Sequence, residues 1–161
     1  MTQAPATPFD DIAARLDAIV ASPDAALAAT AVDRADELLA FGETILEIWL
    51  SAQGKTPTTR TAEGFRLLAL HRQAAQGDAS FNACRETCRE LVYHRNLVRL
   101  DPVHPETARR LRLGAMVARH LALFIGGKLE VAGLGEFCCS SRPLRQRDKN
   151  PQPEMTCPVG E

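Results

Sequence analysis

Aromatic residues make up only 5% of the chain, with one tryptophan and one tyrosine. That scarcity argues against a base-stacking platform for single-stranded nucleic acid. The charges nearly cancel, at −1 overall, so no broad basic field draws a polyanion either. Long apolar runs are missing too. The longest, Leu113 to Ile125, is too short to span a bilayer and contains Arg119 and His120. The first residues, Met1 to Pro8, are polar and followed by Asp10 and Asp11, with no secretory pattern. No nucleic acid, no membrane and a cytoplasmic location are therefore expected. In a reducing compartment the five cysteines read as thiols or ligands rather than disulfides.

Alanine, leucine and arginine dominate what remains, and these are strong helix formers. At 161 residues the chain suits one domain with a real core. Residues 1–8 read as a disordered lead, 9–137 as a helical domain and 138–161 as a flexible tail. Phe9, Ile12, Leu16 and Ile19 recur at helical spacing and predict a first helix to about Ala21, closed by Ser22-Pro23. An Ala-rich link follows from Asp24 to Thr30. A long helix is expected from Val32 to Gln53, with Glu43 and Glu47 on a solvated stripe and Gly54 as its cap. The loop Lys55 to Thr61 carries turn and cap chemistry. A third helix is predicted over Ala62–Gln76 and a fourth from Asp78, as cap, to Leu100. A fifth spans Glu106–Ile125, stopped by Gly126-Gly127. Leu129-Glu130-Val131 reads as a short strand or frayed helix. The expected fold is all-α: an up-and-down bundle of about five helices with an irregular C-terminal tail.

One helix concentrates the chemistry. Cys84 and Cys88 lie one turn apart, and Phe81, Leu91, Val92 and Val98 share their arc. Two thiols on one face are either small buried hydrophobes or half of a soft-metal site. Parallel Cβ vectors at this spacing oppose an intrahelical disulfide. Folding the third helix back over residues 77–79 sets His71 near the level of residue 85. Folding the last helix back over 101–105 sets His120, placed on an apolar face, near the level of residue 86. Cys138-Cys139 lies a dozen residues beyond that helix. The six residues Cys84, Cys88, His71, His120, Cys138 and Cys139 thus form the expected metal ligands, for zinc or an iron–sulfur cluster.

On this reading the protein is a small accessory or regulatory protein with a Cys/His-ligated centre. Two alternatives stand beside it. One is a helical interaction module with structural Cys and His, engaging a protein partner or its own copy through the long helix. The other is a thiol redox switch at Cys138-Cys139, near Arg142 and Arg145. Glu90 and His94 form an i,i+4 pair that reads as a surface pair. No constellation is strong enough to name an enzyme.

Overall fold

The computed structural model describes residues 7–133. Six α-helices occur among them: α1 (Pro8–Ala21), α2 (Asp24–Ala29), α3 (Ala31–Ala52), α4 (Arg66–Ala75), α5 (Arg85–Leu100) and α6 (Thr107–Val131). A 3₁₀ turn, Ala79–Cys84, leads into α5. The all-α bundle expected from the periodicity is present.

α1 starts where its cap chemistry dictates. The backbone N–H of Asp10 donates to the Thr7 hydroxyl (3.1 Å), and the Thr7 N–H donates to the Asp10 carboxylate (2.8 Å). This reciprocal box, with Pro8 in the first turn, satisfies donors that a helix start leaves open. The expected lead is therefore shorter by two residues, and the rest of it lies outside the described residues.

α3 is the hub. Ala31, Ala35, Leu38, Gly42, Ile45, Leu46, Trp49 and Leu50 are its buried positions, and it packs against α1, α2, α4 and α5. Asp36 pairs with Arg95 (3.2 Å) and Arg99 (2.8 Å), and a Cβ on Gly42 would lie 2.7 Å from Leu91. Trp49 lies by Phe81. Rising numbers on α3 meet falling ones toward α5, so the two run antiparallel. Leu39, Phe41 and Ile48, on the apolar face read from the sequence, are half-buried. Glu43 and Glu47 do not form a free solvated stripe, because Arg66 of α4 pairs with both.

α6 closes the bundle through small residues. Ala108, Leu111, Ala115, Ala118, Leu121, Ala122 and Ile125 are buried. A Cβ on Gly114 would stand 3.2 Å from Leu38 and 3.5 Å from His94, so α6 approaches α3 and α5 closely. Arg112 donates to the Val20 and Ser22 carbonyls (3.2 and 2.7 Å), and Arg119 pairs with Asp17. Both arginines fasten α6 to the α1 region.

Three boundaries differ from expectation. Ala62 and Phe65 exchange backbone hydrogen bonds (3.0 Å each) around Glu63 (φ 55°) and Gly64 (φ 87°). That turn holds two residues in the left-handed region and delays α4 to Arg66. The residues before Arg85 wind as a 3₁₀ turn, so Cys84 is the cap of α5 rather than part of it. Gly126-Gly127 does not end α6, and Leu129-Glu130-Val131 is helical, not a strand. Glycine weakens a helix by about 1 kcal/mol but keeps its N–H, so it does not interrupt the ladder as proline does.

Candidate functional site

Phe81 organises the buried layer beside α5. It is fully buried, with Trp49 and Phe124 rings at 5.6 and 5.8 Å and the His71 ring at 6.2 Å. The His71 Nε2–H donates to the Phe81 carbonyl (2.8 Å), the natural role of an acceptor left over at a 3₁₀-to-α junction. The Cys84 thiol shares that carbonyl at 3.5 Å. Cys88 and, after it, His71 beside the Cys84 thiol lower its pKa to about 6. The neighbouring Cys84, together with burial, pushes the Cys88 thiol up. For His71, burial opposes the charge, yet Cys84 and the Phe81 carbonyl outweigh it and raise its pKa.

Three of the six expected ligands are therefore neighbours, but they do not make a metal centre. Among the described residues no group of three or more His, Cys, Asp or Glu side chains is placed to hold a metal ion. The reason is visible in the bonding. His71 Nε2 and the Cys84 thiol both spend their polar atoms on the Phe81 carbonyl, instead of converging on a shared empty point. His120 is not in the layer at all; it is exposed. Cys138 and Cys139, whether as ligands or as a redox switch, lie outside the described residues. The expected protein with a Cys/His-ligated metal or iron–sulfur centre is corrected accordingly.

His120 missed the layer by face, not by level. It stands opposite Thr87, Glu90 and His94 of α5, close to the height that loop folding implied. The apolar face expected around His120 is the one that holds Leu113, Met116 and Phe124 on the helical wheel. The structure instead buries Leu111, Ala115, Ala118, Leu121 and Ile125, and leaves Leu113, Met116 and His120 on the rim.

The rim is a groove of about 410 Å³ between α5 and α6. Leu113, Met116 and Val117 supply its apolar wall, and Thr87, Glu90, His94 and His120 supply polar groups. The Tyr93 ring meets the His94 ring edge-on at 5.6 Å. The Nδ1 atom of His94 is buried without a hydrogen-bond partner among the described residues. Burial lowers the His94 pKa, Glu90 works against that, and Arg110 reinforces it, so the imidazole is neutral at pH 7. The Glu90–His94 pair is thus one wall of a concave site rather than a free surface pair. Its sequence signal was the pair itself plus His120; the missing information was which face α6 turns inward.

No protein-family model matches the chain, and no curated protein or solved structure matches it either. No helix among the described residues is long and apolar enough to cross a membrane.

Proposed function

We propose that the protein is a binding module for a small amphiphilic molecule, held in the α5–α6 groove. The observation that carries this reading is His94, which lines a groove with an apolar wall and whose Nδ1 is a buried polar atom with no partner among the described residues. A buried polar group left unpaired is costly, by about 1–3 kcal/mol, and a ligand oxygen would remove that penalty. The groove volume falls within the range of small-molecule sites, which pair an apolar lining with a few placed polar groups. A hydroxyl or carboxyl head fits the neutral imidazole, with His120 and Thr87 beside it. An alkyl or aryl body fits Leu113, Met116 and Val117.

The test is binding of 8-anilinonaphthalene-1-sulfonate, followed by its fluorescence, and displacement by decanoate or 1-decanol. His94→Leu should weaken decanol binding by about ten-fold, the loss of one hydrogen bond plus desolvation. Val117→Glu should abolish it by charging the wall. Unchanged affinity in both variants overturns the assignment. The exposed Met116 and Tyr93 (58% each) favour a second reading, in which an amphipathic helix of a protein partner occupies the groove. Failure of small ligands together with a binding partner lost on Val117→Glu would select it. Free thiols at Cys84 and Cys88 accord with a cytoplasmic location.

A further inference from the structure

We propose that the cavity between α4 and α5 binds a phosphate dianion, free or as the head of a small ester, through Arg72, Arg85 and Arg89. The cavity measures about 300 Å³ and lies apart from the α5–α6 groove. Residues 85 and 89 share one face of α5. Thr87, Glu90 and His94 share the opposite face, about half a turn round the helix. Nothing in this site depends on the groove or on what the groove holds.

Charge selects the ligand class. Three guanidinium groups line the cavity against one carboxylate, Glu63, which leaves positive charge in excess. Glu63 accepts from both Nη atoms of Arg89 (3.2 and 2.8 Å) and from Arg72 (3.1 Å). Arginines from α4 and α5 are thus already spaced to grip one oxyanion, here an internal one. The Arg89 bonds, and then the charges of Arg89, Arg72 and Arg85, hold the Glu63 carboxyl below the usual carboxylate range. Arg85 therefore acts on the same point through space. It makes no ion pair and no side-chain hydrogen bond among the described residues. Its five N–H donors are uncommitted.

Each of these arginines alone would hold an anion weakly, because exposed charge pairs are screened by water and salt. Convergence of three in one concavity makes the site. A dianion answers the excess charge. A tetrahedral phosphate also presents three terminal oxygens, one for each arginine, where a carboxylate presents two. The volume is at the lower end for small-molecule sites, so an ester body is short. Gln76 and Asn82 line the same cavity and offer amides to a hydroxylated body. His71, buried with its Nε2 on the Phe81 carbonyl, is a fixed part of the lining.

The experiment is calorimetric titration of the full chain at about pH 7.5, where a phosphate monoester is a dianion. Sodium chloride at about 0.15 M screens long-range attraction. Glycerol 3-phosphate should bind saturably, one to one, and glycerol should not bind. Inorganic phosphate is titrated in parallel: equal or tighter binding assigns the site to the free ion, and weaker binding assigns it to an ester. Arg85→Gln should weaken binding by about ten-fold or more, the loss of its charge-assisted hydrogen bonds. Arg85 is exposed, so the variant should keep its helical circular dichroism. Arg109→Gln removes the same charge from an exposed position on α6 outside the cavity, and should change the affinity by less than about two-fold. No saturable binding of either phosphate up to about 10 mM overturns the proposal. It is equally overturned if succinate, a dicarboxylate, binds more tightly than both phosphates. Parent-like binding by Arg85→Gln, or an equal loss in Arg109→Gln, also refutes it.

Discussion

Replacing Gly42 by alanine should destabilise the protein, although alanine is the better helix former. Two terms oppose each other. Helix propensity favours alanine by about 1 kcal/mol in a helix interior. Against it, the new Cβ would lie 2.7 Å from Leu91 Cδ2 and 3.1 Å from Leu67 Cδ1. The first contact is about 1 Å short of the ~3.5–4.0 Å at which carbon atoms rest. Leucine tips usually yield, but Leu91 is 1% exposed and Leu67 fully buried, so neither has solvent to move into. Overpacking of this kind costs about 1–3 kcal/mol. The balance is a net loss of about 1 kcal/mol, or a fall in Tm of roughly 2–4 °C for a chain of this size. Urea unfolding followed by the fluorescence of Trp49, the sole tryptophan, measures it directly. A double-mutant cycle sharpens the result: with Leu91→Ala as background, Gly42→Ala should become neutral or stabilising. A Gly42→Ala protein more stable than its parent would refute the close approach of α3 to α5.

The His94 imidazole supplies a pH prediction. Its folded pKa lies below the ordinary value of ~6.5, so the unfolded chain takes up the proton first as pH falls. The stability it contributes is full above that unfolded value and is lost as pH drops through it toward the folded one. Urea midpoints of His94→Gln should therefore fall less steeply than those of the parent between pH ~7 and ~5, and identical slopes would contradict the assigned burial. In the turn before α4, Gly64→Ala should cost about 1–2 kcal/mol, because φ of 87° strains any Cβ even though no neighbouring atom is near. Thermal melts showing no loss would place that turn in a different conformation.

Much of the fold was legible because it is local. The spacing of Phe9, Ile12, Leu16 and Ile19 is itself the buried face of α1, and Phe81, Cys84, Cys88, Leu91, Val92 and Val98 are all buried, as their shared arc implied. Helix stops were less legible. Pro23 ends a helix by sterics, whereas Gly126-Gly127 only weakens one, and whether such weakness terminates a helix depends on its surroundings. The 62–65 turn hid behind helix-forming neighbours, since a residue such as Glu63 in the left-handed region is dictated by the hydrogen bonds around it, not by its own preference.

The sequence by itself determined that this is a helical protein, where most helices lie, and that His71, Cys84 and Cys88 share a buried level, because periodicity and short loops constrain these directly. Only the tertiary structure decided the rotation of α6. The inward face of α6 is Leu111, Gly114, Ala115, Ala118, Leu121, Ala122 and Ile125, whose small members let the helix come close to α3 and α5. That rotation puts His120 in the groove beside His94, away from the buried layer of His71, Cys84 and Cys88. Of the four expected ligands among the described residues, His71, Cys84 and Cys88 stay buried at one level and His120 does not, because loop lengths set the height of a residue on a helix but not the direction that helix turns it.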